Sequence, residues 1–289
     1  MPFKWRVETG NIWYKEFVRL ARSFGDGLRH EHDGDRQSQM KAPRGKKSAP
    51  ERRYLYFDLV MAGFVTVLIV SNIASSAKLV DWGVSVFGIR LAFDAGTILF
   101  PVSYIFGDVL TEVYGYRRSR RVIWTGFFCL GLSAFILWFV RILPGEATWQ
   151  QYAGQKAFDA ILGGMSSGGI VIASLSAYWA GEFSNSFVLA KMKILTRGRW
   201  LWTRTIGSTL VGELVDSALF IAIASLFSVF PWSLFLTLVL TNYVFKCSME
   251  ALMTPVTYRV VAFLKRTEQE DYYDYKTDFN PFKLETTEE

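Results

Sequence analysis

One stretch constrains this chain more than any other. Asp94 to Arg121 reads DAGTILFPVSYIFGDVLTEVYGYRRSRR, an apolar run that carries carboxylates and stops at a block of arginines. Crossing a bilayer takes roughly 20 mostly apolar residues, and Leu91 to Tyr116 has the length for it. An acidic side chain near the middle of such a run costs about 2.5–3.5 kcal/mol on insertion scales. Asp108 and Glu112 are therefore not decoration. Four residues apart, they share one helix face, with Thr111 beside them. Arg117, Arg118, Arg120 and Arg121 close the run with positive charge, the mark of a cytoplasmic end.

The rest of the chain repeats the theme. Apolar segments run from about Tyr56 to Ala77, Val122 to Leu143, Ala157 to Leu189, Thr205 to Phe227 and Trp232 to Phe263, making six with the stretch above. The fourth and sixth are too long for one simple crossing. Hydrophobic residues make up 51% of 289, with 24 Phe, 13 Tyr and 10 Trp, although a charged tail dilutes the average. That is high for a soluble domain. The expected fold is an all-α polytopic membrane protein of about six transmembrane helices. Its expected parts are a charged, partly disordered tail over 1–53, a transmembrane domain over 54–266 and a C-terminal tail over 267–289. Within the first tail, Ile12, Phe17, Leu20 and Phe24 have the spacing of a surface-lying amphipathic helix.

Basic residues set the orientation. They gather before segment one (Arg44, Lys46, Lys47, Arg52, Arg53), between two and three, between four and five (Lys191, Lys193, Arg197, Arg199, Arg204), and after six (Arg259, Lys265, Arg266). The alternate links are sparse in positive charge, so an even number of crossings with both termini cytoplasmic is expected. A net charge of +6 distributed this way points to membrane orientation and lipid headgroups, not to nucleic acid.

Several chemistries are disfavoured. Cys129 and Cys247 lie in separate apolar runs, so free thiols are expected and no disulfide or metal site. His30 and His32 sit in the N-terminal tail, away from any membrane site, and neither an HExxH nor a GxxxxGK[ST] motif occurs. A secretory signal is not expected, because no apolar run with a small-residue cleavage site follows the basic residues near the start. An enzyme is not expected, and no cofactor is implied.

Polar residues inside the apolar runs are the candidate site. Segment one has Ser71, Asn72, Ser75 and Ser76; small hydroxyls packing two helices explain them as well as a substrate does. Asp108 and Glu112 could instead pair with Arg117 or Arg120. In segment four, Gly164 and Gly168 have GxxxG spacing, continued by Ala173 and Ala177, which predicts a close helix contact. Glu182 and Asn185 follow on one face. Segment five places Arg204, Ser208, Thr209, Glu213 and Asp216 along one stripe, and Glu213 with Asp216 is the leading functional pair. Segment six contributes Asn242, Lys246 and Glu250 at four-residue steps, with Lys246 as counter-ion; a structural salt bridge is the rival reading. Carboxylates, amides and the aromatics Tyr104, Tyr178, Trp179 and Tyr243 would together suit a flat, donor-rich molecule.

Taken in order, SNI (Ser71–Ile73), FPVSYIFGDVLTEVYGYRRSR (Phe100–Arg120), GEFSNSFV (Gly181–Val188), RTIGSTLVGELVDSALF (Arg204–Phe220) and NYVFK (Asn242–Lys246) resemble the queuosine precursor transporter family. The resemblance covers roughly Tyr54 to Arg266. It implies a six-helix bacterial inner-membrane importer of the 7-deazaguanine bases preQ0 or preQ1, used in queuosine synthesis for tRNA. It also implies a likeness to the substrate-binding subunits of energy-coupling-factor transporters. The substrate-binding set expected on this basis is Asn72, Asp108, Glu112, Glu182, Asn185, Arg204, Glu213, Asp216, Asn242 and Lys246. Partners in view are the small-molecule base, the bilayer, a second copy in a homodimer, or an ATPase module. The alternatives are a capture subunit for another heterocycle or vitamin, and a non-transporting scaffold. The long N-terminal tail and the Leu143–Asp159 link depart from the family's usual form.

Overall fold

The computed structural model describes residues 54–86 and 89–283. The amphipathic segment expected at Ile12–Phe24, together with His30 and His32, lies outside them, as do the side chains of Asp94, Thr97 and Tyr104. Helix α1 (Phe57–Ala77) is followed by an antiparallel hairpin, β1 (Leu79–Val86) and β2 (Ile89–Asp94), and a short 3₁₀ turn at Ala95–Ile98. Then come α2 (Phe100–Tyr114), α3 (Tyr116–Ile142), α4 (Ala147–Tyr152), α5 (Gly154–Ser166), α6 (Gly168–Leu195), α7 (Leu201–Leu226), a 3₁₀ turn at Trp232–Leu234, and α8 (Phe235–Glu268).

Among the described residues four spans are long and apolar enough to cross a membrane: α1, α3, the α5–α6 pair and α7. The other two long elements, α2 and α8, pack against these spans and against each other. Tyr54, before α1, packs its ring 5.3 Å from that of Tyr114 at the end of α2. Glu268, closing α8, accepts hydrogen bonds from Leu55 N–H and the Tyr114 hydroxyl at the same end. Each helix buries a narrow stripe and turns the rest outward. In α1 the buried positions are Val60, Phe64, Leu68 and Ser71, at helical spacing. On α3, Phe128, Leu132, Phe135 and Phe139 are exposed, and on α8 Leu236, Leu240, Val244 and Leu252. An apolar girdle of this kind is stable against lipid and not against water. The protein is a multi-pass membrane protein.

The second segment needs correction. The expected helix from Leu91 to Tyr116 begins at Phe100, because residues 91–94 end a strand paired with β1 in the register Leu79↔Asp94 and Val80↔Phe93. Ile89, Leu91 and Phe93 alternate with Arg90, Ala92 and Asp94, which is strand periodicity. Pro101 in the first turn starts the helix, where its missing N–H costs nothing. The resulting 15-residue helix is only about 22 Å long at 1.5 Å per residue.

Segment four is broken, not merely long. Ser167 adopts an extended conformation between α5 and α6. The Gly164–Gly168 spacing straddles this break, so it does not form one face. A Cβ on Gly164 would meet Ser76 Oγ of α1 at 2.7 Å, and one on Gly168 would meet nothing within 4 Å. The tight helix contact lies further on, between Gly181 of α6 and Gly212 of α7. A Cβ on Gly181 would stand 2.8 Å from Asp216 Cβ, and one on Gly212 2.7 Å from Asn185 Cβ. Segment six is one continuous 34-residue helix with Pro255 inside it.

Residues after α8 fold back onto the bundle. Asp274 accepts from Tyr116 N–H at 3.0 Å, and Trp124 donates its indole N–H to the Pro281 carbonyl at 2.8 Å. Gly115, at φ +83°, turns the chain from α2 into α3; a Cβ there would overlap the Tyr272 ring.

Candidate functional site

Two separate polar clusters form inside the bundle, and α2 contributes to both through Asp108 and Glu112, one turn apart.

The first cluster lies at the basic end. Glu112 is fully buried and accepts from Arg204 twice, Nε to Oε2 at 2.7 Å and Nη2 to Oε1 at 2.6 Å. Lys265 donates to the same Oε1 at 2.6 Å. Lys193 stands 3.7 Å away and donates to the Glu112 and Tyr272 carbonyls at 2.6 and 2.7 Å. Asp271 bridges Lys193 and Lys265, each at 2.7 Å. Two lone pairs and a planar fork make this a bidentate, charge-assisted pairing. Glu112 has both carboxylate oxygens bonded by protein cations. It therefore serves as a clamp that ties α2, α6, α7 and α8 together, and Arg204 belongs to that clamp. Neither Asp108 nor Glu112 pairs with Arg117 or Arg120 among the described residues. Arg120 instead donates to the Asp278 carbonyl at 3.0 Å, and the Arg118 guanidinium lies 4.4 Å over the Tyr54 ring. Just beneath the clamp, the hydroxyls of Thr111, Ser119 and Ser186 bond one another at 2.9–3.1 Å.

The second cluster is deeper. Lys246 of α8 pairs with Glu213 of α7 at 2.9 Å and with Asp216, a turn further on. The Gly181–Gly212 contact brings Glu182 and Asn185 of α6 to the same place. Glu182 Oε2 also lies against α2, 3.3 Å from where a Gly107 Cβ would stand. Asp108 of α2 and Glu250 of α8 complete the group, both essentially without exposure. Their carboxyl groups face each other, and the Asn185 amide is turned towards Asp108. No donor reaches any of their four oxygens at hydrogen-bond geometry among the described residues. Five carboxyl groups, one amide and one ammonium thus meet on four helices. Among the described residues no group of three or more His, Cys, Asp and Glu side chains is arranged to hold a metal ion.

Of the expected set, Asp108, Glu182, Asn185, Glu213, Asp216 and Lys246 come together. Glu112 and Arg204 form the clamp, nine residues of α7 separating Arg204 from Glu213, about 13 Å. Asn72 bonds the Leu68 carbonyl at 2.8 Å and accepts from Ser174 at 3.2 Å, so it ties α1 to α6 two turns away from Glu182. Asn242 is exposed. Tyr178 packs on Phe64 and donates to the Ile123 carbonyl at 3.1 Å, while Trp179 stacks among Trp124, Phe183 and Phe282. These aromatics pack in the α3–α6 seam and against the tail. Tyr243 is half-buried. Both cysteines are free. An open cleft of about 570 Å³ lies elsewhere, between α3 and the α5–α6 break, lined by Arg141, Ser166 and Trp138 among others.

Sequence reasoning placed Glu250 on the Lys246 face without assigning it to the site, and missed Lys193, Lys265 and Asp271 in the clamp. Four-residue spacing was the signal for Glu250. For Asp271 there was none, since it lies beyond the last apolar run.

Comparisons with known proteins identify the family. A family described as "Putative vitamin uptake transporter" matches residues 94–260. A "Probable queuosine precursor transporter" of Bacillus subtilis (strain 168) is 25% identical over 211 residues, 73% of this chain and 86% of that protein. One of the same description from Haemophilus influenzae is 24% identical over 168 residues, 57% of this chain and 67% of that protein. No solved structure matches the chain. The family is one of transporters, not enzymes. Its match spans α2 through most of α8, with the whole second cluster and Glu112, Lys193 and Arg204 of the first, so the chain belongs to the vitamin uptake transporter family.

Proposed function

We propose that the protein imports a queuosine precursor, a 7-deazaguanine base such as preQ0 or preQ1, across the bacterial inner membrane, with both termini in the cytoplasm. The observation that carries this is the meeting of Glu182, Asn185, Glu213, Asp216 and Lys246 from three helices inside an apolar girdle. A guanine-type edge presents two N–H donors side by side, which one carboxylate accepts together. Glu182, which is not in the Lys246 salt bridge, is the carboxylate for that edge. Asn185 supplies an amide to the neighbouring carbonyl. The Glu213–Lys246–Asp216 triad holds α7 to α8 and keeps the floor of the site in place. The names of the two relatives supply the substrate class, and the polar group supplies the chemistry.

Uptake of radiolabelled preQ0 and preQ1 into cells lacking their own importer tests the reading. Wild type should accumulate label, while Glu182→Gln, Glu213→Gln and Asp216→Asn should reach the membrane and lose uptake. Near wild-type uptake in all three would remove the cluster from the mechanism. If uptake survives an uncoupler and fails on ATP depletion, the protein is instead a capture subunit working with an ATPase partner.

A further inference from the structure

We propose that Asp108 and Glu250 form a proton-binding site that the transport cycle loads and empties; this rests on the transporter reading above. The two carboxyl groups come from different helices, α2 and α8, and face each other where neither is exposed. All four oxygens lack a hydrogen-bond partner among the described residues. A buried polar group without a partner is rare enough to need a cause. Lys246 does not supply one, because it is engaged by Glu213 and Asp216. The charged groups acting on the pair are Glu182 from α6 and Glu213 from α7, both acidic, and the nearest polar neutral group is the Asn185 amide. Two bare anions facing each other out of water, with further anions around them, do not persist. One proton removes the conflict. It converts one carboxylate into an O–H donor and leaves the other as its acceptor, so the pair carries a single negative charge.

Release reverses this: the O–H bond breaks, the proton passes to water, and two carboxylates remain. With no oxygen open to solvent, loading and release both require α2 to move against α8. Glu182 lies against Gly107, the residue before Asp108, so the same movement is felt by the carboxylate that faces the base. Proton and substrate are then coupled through one short helix, α2, whose Glu112 stays clamped to α7 and α8 at the basic end.

Infrared spectroscopy of the purified wild-type protein at neutral pH provides the first test. A protonated carboxyl C=O band that shifts on transfer to D₂O should be present, and Asp108→Asn and Glu250→Gln should each lose it. Absence of the band in wild type overturns the proposal without recourse to any variant, and so does a band that survives both substitutions. In proteoliposomes, substrate counterflow by wild type without a pH gradient checks the transporter reading by itself. Given counterflow, an inside-alkaline gradient should drive accumulation in wild type, and Glu250→Gln should show equal rates with and without it. Accumulation by wild type that ignores the gradient overturns the proton site while leaving the transporter reading intact.

Discussion

Lys246 is one cation shared by two carboxylates of the preceding helix. Removing it takes from Glu213 and Asp216 a cation that both pair with. Breaking a buried pair from one side costs about 3–5 kcal/mol, whereas removing all its charges can be nearly neutral. Lys246→Met should therefore lower stability by about 3 kcal/mol, and adding Glu213→Gln with Asp216→Asn should recover most of that loss without restoring uptake. Thermal unfolding in detergent reads both. A single variant that melts like wild type would mean that α7 and α8 are held by packing alone. The same logic separates the two fates of the expected residues. Glu112 is saturated by three cations and a structural role, while Asp108, one turn earlier, is left with none.

At the scale of elements, the α6–α7 seam decides where the site residues go. Gly181 and Gly212 let the two backbones approach until side chains on one helix meet the main chain of the other, and this approach sets Asp216 against Gly181 and Asn185 against Gly212. Gly212→Val should push the helices apart, lower the melting temperature and abolish uptake. Gly163→Ala, where an added Cβ meets nothing within 4 Å, should change neither except through a small gain in helix propensity. Equal behaviour of the two variants in a paired melting and uptake measurement would refute the seam. The breaks have their own local logic. The GGMSSGG run interrupts the fourth segment at Ser167, and strand alternation at Ile89–Asp94 takes the first half of the second segment out of the helix.

Across the whole molecule, the chain after α8 closes the basic end. Asp271 joins Lys193 and Lys265 above Glu112, and Tyr272, Asp274 and Pro281 dock along α2 and α3. Burial pushes the Asp271 carboxyl up, but the hydrogen bonds and charges of Lys193 and Lys265 outweigh it and hold the group below the usual carboxylate range. A carboxylate depressed in the folded state stabilises above its unfolded value of about 3.9 and loses that contribution as pH falls through the lower folded value. Amide hydrogen exchange over Tyr272–Phe282 should therefore show the segment docked throughout the neutral and mildly acidic range in wild type. Asp271→Asn should speed that exchange at neutral pH. Unchanged exchange in the variant would mean that the aromatic and backbone contacts suffice.

The sequence by itself dictated a multi-pass helical protein with charge buried in it, because spanning length, apolar composition and misplaced carboxylates are properties of a chain read one residue at a time. Four-residue spacing likewise put Glu213 and Asp216 on one stripe and Lys246 with Glu250 on another. Only the tertiary structure decided which charges meet. Glu112 and Arg204 looked like site residues until their partners 92 positions apart were seen to be each other. Asn72 turned out to be a tie to α6, and Asp271 had no apolar run to announce it. Pairing between helices depends on rotation and depth in the bundle, which local spacing does not encode, and those are set by close approaches such as Gly181 on Gly212.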